Sequence, residues 1–430
     1  MQPGFQLKDT SAAFYPLKGI DLLGRVEPFQ KWFDGRRRGG TWSLNRVVES
    51  RNETRAKVLN MDGTTSEGVN FAAQDYLGLN DHPAVHAAVI EALREFGPHS
   101  AGSDMLIGNS RISELLRAEL GSFLKREHVV LFPTGWGAAY GAMRGLVRHQ
   151  DHIVLDQLAH NSLQSGARAA TENVVSFEHN SIASAETALR SIRERDTQNA
   201  ILLATESVFS MDADSPDLRA LGELCREYSA AYMVDVAHDL GALGPRGLGR
   251  LEEQGALEVP DLIMGAFSKT FCSTGGFLAV RSEAVAQYVR CYGAACTFSN
   301  AMTPLQVAAV RAALAIVRSS EGAKLRTTLH GTSCLLRRTL VDRGLAVLGD
   351  PGAIIPVLTG SEKCGRQAAA LAAEGGVLVN CVEYPAVSLG ASRLRLQITP
   401  AHAAVDLDQC ADVIAASVSG VPTATTAATL

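Results

Sequence analysis

Apolar positions along this chain come in short unbroken runs, separated by longer stretches of helical periodicity. The runs 129–132, 152–155, 174–177, 201–204, 231–235 and 262–265 read as strands buried on both faces. Segments 82–96, 111–124 and 283–291 carry a helical pattern, and Pro304 suits the first turn of a helix reaching about residue 318. Such alternation predicts an α/β fold with a mainly parallel sheet covered by helices. In such sheets ligands bind beyond the carboxyl ends of the strands.

Beyond the larger domain, strands near 354–358, 377–380 and 394–398 alternate with helices and predict a smaller C-terminal α/β domain. Near the start, Leu22, Leu23, Val26, Phe29 and Trp32 fall near helical spacing and predict a helix over 21–33. Asp62-Gly63 predicts a hairpin turn. The expected organisation is an arm over 1–65, a large domain over 66–303, a linking helix and small domain over 304–419, and a tail over 420–430. The tail is rich in Ala and Thr, has too little bulk to pack, and is expected to be disordered.

Composition narrows the function. At 430 residues, 46% hydrophobic and 20% charged, this is an ordinary globular composition large enough for two domains. A net charge of −5 leaves no basic footprint for nucleic acid. The run Arg36-Arg37-Arg38 reads as a solvated turn, with an anionic partner such as coenzyme A as the other reading. The eight cysteines include no Cys-x-x-Cys pair and no histidines at zinc spacing. Reduced thiols in a cytoplasmic protein without a metal site are expected. Residues 1–8 lack an apolar signal core, and no run reaches the roughly 18 apolar residues of a membrane span.

Candidate chemistry centres on 261–280, where Lys269 stands in a small-residue loop between two apolar strands. Burying an ammonium is costly, but a desolvated lysine forms Schiff bases with aldehydes. An isolated Ser-Lys would read as surface loop. Asp235 closes an apolar strand and His238 follows three residues later. A carboxylate there can face a protonated ring nitrogen, as pyridoxal phosphate (PLP) requires, or cap a turn. Thr134, Gly135 and Trp136 follow a strand and open a helix, where unpaired amides can cradle an anion or simply pack. Arg393 and Arg395 share one face of a strand, and a guanidinium matches a carboxylate with two parallel hydrogen bonds.

Asp235-Val-Ala-His238, Ser268-Lys269 and Gly275-Gly276 together resemble the fold-type-I PLP enzymes, and within them the α-oxoamine synthases, over roughly 71–402. The resemblance implies a PLP fold type I and covalent attachment of PLP to Lys269. It implies that His160 stacks on the cofactor, that Asp235 pairs with its ring nitrogen, and that His238 and Ser210 meet its phenolic oxygen. Thr134, Gly135 and Trp136 would hold the phosphate, aided by Ser299 and Asn300 across the interface of a homodimer with a shared site. The alternative reading of Ser299-Asn300 is a helix cap. Arg395 and Gln74 would bind the amino-acid carboxylate.

The implied reaction is decarboxylative condensation of a small amino acid with an acyl thioester, carried by coenzyme A or an acyl carrier protein, with Lys269, His160, Asp235 and His238 as the catalytic set. Another PLP reaction on the same fold, such as transamination or aldol chemistry, or a non-catalytic subunit, are the alternatives. Five positions depart from the family pattern. Gln74 replaces Asn, Asp104 replaces Arg, Ser207 replaces Gly, Ala266 replaces Thr, and Glu383 stands where some members carry Arg.

Overall fold

The computed structural model describes residues 10–421. Their strands form three sheets. β1 (Val47–Val48), β2 (Arg55–Leu59) and β3 (Thr65–Asn70) make most of the first. The second holds β4 (His128–Phe132), β5 (His152–Asp156), β6 (Val174–Phe177), β7 (Ile201–Glu206), β8 (Ala231–Asp235), β9 (Leu262–Ala266) and β10 (Gly276–Val280). Its spatial order is β4-β10-β9-β8-β7-β5-β6. The third contains β11 (Ile354–Gly360), β13 (Asn380–Val382) and β14 (Ser392–Gln397), while β12 (Val377–Leu378) joins the first.

The chain folds as two compact units. The larger holds Gln74–Ser210 and Asp214–His330; the other holds the residues up to Ala73, Met211–Ala213 and those from Gly331. The helix Pro304–Val317, expected beside the small domain, belongs to the larger unit, and the division falls inside the helix Ser320–Asp342.

In the larger unit the expected α/β sheet is present and mainly parallel. β5 pairs parallel with β6 and β7, β7 with β8, and β8 with β9. Only β10 runs against its neighbours β9 and β4. The loop between β9 and β10 is shorter than the dozen or so residues a parallel crossover needs, so the pair closes as a hairpin. All residues of β7, β9 and β10 are buried, which is why these strands read as unbroken apolar runs. Phe132, Leu155, Met233, Met264 and Leu278 pack with Ala138, Met143, Leu163 and Ala167 in one core.

In the other unit the Asp62-Gly63 turn joins β2 to β3, with the Asn60 amide on the Thr64 carbonyl at 2.8 Å and Gly63 at φ +90°. Two expectations shift. The helix predicted over 21–33 runs instead over Glu27–Arg38, because Pro28 fits only its first turn and Asp21 already accepts the Leu23 and Gly24 amides. The single strand expected over 377–380 divides: β12 pairs parallel with β3, and β13 pairs antiparallel with β14. No described helix is long and apolar enough to cross a membrane. Residues 1–8 and nearly all of the Ala/Thr tail lie outside the described residues.

Arg126, 0% exposed, ties the start of β4 to the segment before β9. Its guanidinium donates to the carbonyls of Lys125 (3.0 Å), Leu257 (2.8 Å) and Pro260 (2.9 Å), and to Glu258 at 3.2 Å. Arg126→Met leaves the buried Leu257 carbonyl without this donor, while the Pro260 carbonyl and Glu258 keep Arg281. A loss of about 2 kcal/mol is expected, read as a lowered urea midpoint.

Candidate active site

The candidate residues of the larger unit collect where its parallel strands end. Thr134 follows β4, His160 follows β5, Ser210 follows β7, Asp235 closes β8, and Lys269 follows β9. Ranking by strand rather than by sequence distance makes them neighbours. Glu206 on β7 stands opposite Asp235 on β8, one strand spacing of about 4.8 Å away.

Lys269 is half-buried in the loop joining β9 to β10. That loop is closed by the Phe267 amide on the Gly275 carbonyl at 3.0 Å and by the Cys272 amide on the Lys269 carbonyl at 3.1 Å. Gly275 takes φ +119°, where a side chain would be strained. Its neighbour Gly276 has no room for one: a Cβ would lie 2.6 Å from the Gly135 Cα.

Asp235 is 6% exposed. Burial pushes its carboxyl up, and the charges of Lys269 and then His160 draw it part of the way back. Its Oδ1 accepts the Ala237 amide at 2.9 Å. Glu206, 2% exposed, is the residue the sequence reading missed. Burial and the Asp235 charge hold its carboxyl well above the ordinary range, against the pull of the His160 amide and Lys269. Burial thus pushes both neighbouring carboxyls up. Its Oε1 accepts the His160 amide at 2.6 Å and so fixes the backbone of that histidine. The missed signal was its position, since Glu206 ends the strand beside the one that Asp235 ends.

His160 caps the helix Asn161–Ala170. Its Nδ1 accepts the Ser162 amide at 3.2 Å and lies 2.7 Å from the Ser162 hydroxyl, leaving Nε2 as the donor. His238 is buried, and its Nδ1 lies 2.8 Å from the Tyr76 hydroxyl. Tyr76 too went unassigned in the sequence. Gln74, two residues before it, is partly buried in the same loop.

Thr134 is the N-cap of the helix Gly135–Leu146 and accepts the Gly137 amide at 2.9 Å. A Cβ on Gly135 would meet the Ala266 methyl at 2.3 Å, so the helix start lies directly against the end of β9. This is a cradle that only glycine leaves open, at a helix N-terminus suited to a phosphate. With a lysine, an acid at a strand end and a histidine beside it, the donor set fits PLP. Ser299 and Asn300 do not cap the following helix; Thr303 does, in a capping box with Gln306. Asn300 instead bridges to Ser103 in the loop before the helix Arg111–Leu124.

Arg395 belongs to the other unit, where it stands on β14 opposite Asn380. Its face-mate Arg393 is already committed: it donates to Asp212 at 2.6 Å and to the Met211 carbonyl at 3.0 Å. Arg395 lies 3.7 Å from the Met211 sulfur.

Most departures from the family pattern have local compensations. Asp104 is buried between Arg117, which it meets in a short contact, and Arg290 at 3.1 Å. Glu383 is paired with the buried Arg366 at 2.6 Å. The Ser207 hydroxyl stands 2.7 Å from Asp239 Oδ1 and 3.1 Å from the Asp235 carbonyl. Nothing in the structure explains why Ala266 stands where the family carries a threonine hydroxyl.

The family model for aminotransferase class I and II matches residues 66–414. An 8-amino-7-oxononanoate synthase of Geobacter metallireducens is 33% identical over 351 residues, 81% of this chain and 88% of that protein. The mitochondrial 2-amino-3-ketobutyrate coenzyme A ligase of Mus musculus is 30% identical over 379 residues, 88% of this chain and 89% of that protein. The solved serine palmitoyltransferase of Sphingomonas wittichii superposes with a TM-score of 0.86 at 25% identity, covering 94% of this chain and all of that one. The chain belongs to the aminotransferase class I and II family, with the fold type I architecture. Within that family its relatives are α-oxoamine synthases.

Asp239, buried beside His238, accepts the Ser207 hydroxyl and, at 2.7 Å, the Arg250 amide. Burial outweighs both and pushes it up to about 7. Between about pH 4 and 7 the unfolded chain has lost this proton and the folded chain keeps it, so stability falls as pH rises through that window. Asp239→Asn should flatten this slope in urea denaturation series taken at pH 4 to 7.

Proposed function

We propose that this protein joins the α-carbon of a small amino acid to the acyl group of a thioester, releasing carbon dioxide and the free thiol and giving an α-amino ketone. The carrying observation is that Asp235, closing β8, is acted on by Lys269, which follows β9, and by His160, which follows β5, all at the carboxyl ends of the parallel strands. PLP is the cofactor of this reading; when bound it supplies an electron sink for a carbanion at the amino-acid α-carbon.

The chain's own groups do the rest. Lys269 would hold the cofactor, and its amine, once free, would take the α-proton from beside it. Asp235 would face the ring nitrogen and favour a proton there, and Glu206 would anchor the His160 backbone. His160 covers the ring face and donates from Nε2 to the thioester carbonyl as it gains negative charge. His238, oriented by Tyr76, and Ser210 meet the ring oxygen. The amides of Thr134, Gly135 and Trp136 take the phosphate, joined by Ser299 and Asn300 of the partner subunit in a homodimer. Arg395 grips the substrate carboxylate, with Gln74 as a second donor. The thioester is carried by coenzyme A or an acyl carrier protein, and the enzyme works in the cytoplasm.

The test offers the PLP-loaded protein a panel of amino acids, labelled at the carboxyl carbon, with acyl thioesters. Products are read by mass spectrometry. Thioester-dependent release of labelled carbon dioxide with a new carbon–carbon bond is expected. Exchange of amino groups without such a bond would move the assignment to transamination. Lys269→Ala should lower the condensation rate by about a thousandfold or more, measured in single turnovers. Arg395→Gln should raise KM for the amino acid by about tenfold or more, with kcat less affected.

A further inference from the structure

His179 lies in the turn after β6, outside every group given a role above. Its ring is held between two carboxylates: Nδ1 is 2.9 Å from Asp156 Oδ1, and Nε2 is 2.9 Å from Asp214 Oδ2. Phe209 packs edge-on against the ring at 4.4 Å. Two carboxylate partners require a proton on each nitrogen, so the ring is an imidazolium. Burial alone would lower its pKa, but the hydrogen bonds and charges of Asp156 and Asp214 push it up to about 10.

Each aspartate belongs to a turn that carries part of the site. Asp156, 0% exposed at the end of β5, accepts the Leu158 amide at 2.9 Å, and its carbonyl takes the Ala159 amide at 3.0 Å. That turn leads directly into His160. The Asp214 carbonyl accepts the Phe209 amide at 3.0 Å and closes the loop that contains Ser210. Asn180 repeats the link, with its backbone amide on Asp156 Oδ2 and its side-chain amide on Asp214 Oδ2, both at 2.9 Å. His179 and the two amides of Asn180 therefore link the turns that lie beyond the paired strands β5 and β7.

We propose that His179 is a positioning residue, a charged clasp that sets the His160 turn against the Ser210 loop so that the cofactor face and the ring oxygen are met together. The inference rests on the PLP reading above and deepens it. Removing the cation leaves two aspartates across an unfilled gap, and their repulsion lets the turns part.

The test compares holoenzyme variants. His179→Gln removes the clasp. His152→Gln is the control: it removes a similar pair, with Nε2 2.8 Å from Asp196 Oδ2, at the opposite end of the same strand β5. His179→Gln should weaken PLP binding by about tenfold or more, alter the visible circular dichroism of the bound cofactor, and lower kcat with little change in the amino-acid KM. His152→Gln should leave all three at wild-type values. The double variant His179→Gln with Asp214→Asn relieves the repulsion without restoring the clasp. It should regain thermal stability but not cofactor affinity or the dichroism. If His179→Gln lowers only the melting temperature, or if the double variant recovers everything, the clasp has no positioning role. Failure of the wild type itself to bind PLP would overturn the reading beneath, and is seen separately.

Discussion

A carboxylate buried at the end of a strand must be met by positive charge or keep its proton. Asp235 and Glu206 stand on adjacent strands with little access to water, and the Lys269 ammonium draws both carboxyls down against that burial. Burial raises both carboxyls, and Glu206 serves as an anchor for the His160 backbone. The charge environment at these strand ends is thus set by which strands are neighbours.

Around that centre several candidate side chains sit on turns whose own polar groups are satisfied nearby. Tyr76 steadies His238, Ser162 orients His160, Thr134 caps the helix of the anion cradle, and the hairpin closure after β9 fixes Lys269. The imidazolium of His179 extends the same principle by joining two such turns. Preorganised groups of this kind need little rearrangement when charge develops.

The departures from the family pattern follow from the same accounting of buried charge. An aspartate at 104 would be intolerable alone, and Arg117 with Arg290 makes it tolerable. Glu383 has Arg366, and the hydroxyl that distinguishes Ser207 from glycine is engaged by Asp239. These three changes each stand beside a partner at least 13 positions away, so a reading confined to local motifs could register the oddity but not its resolution.

The one-dimensional pattern carried much of this protein. Runs buried on both faces of a parallel sheet leave a continuous apolar signature, so β4 through β9 were legible. Lys269 and Asp235 stand out in the sequence because a lysine between apolar strands and an acid at a strand end are residue types that Schiff-base and acid–base chemistry uses, while His160 and His238 stand out through the family resemblance. What remained hidden depended on strand order and on turns meeting in space. Glu206 becomes a neighbour of Asp235 only once β7 lies beside β8, and Tyr76 reaches His238 across 162 positions of chain. His179 gains its meaning from Asp156 and Asp214, which local pattern leaves unrelated. Residue chemistry and periodicity are written along the chain. Which buried charge faces which is decided by the packing of strands and loops, because electrostatic energy depends on distance in space and on the removal of water.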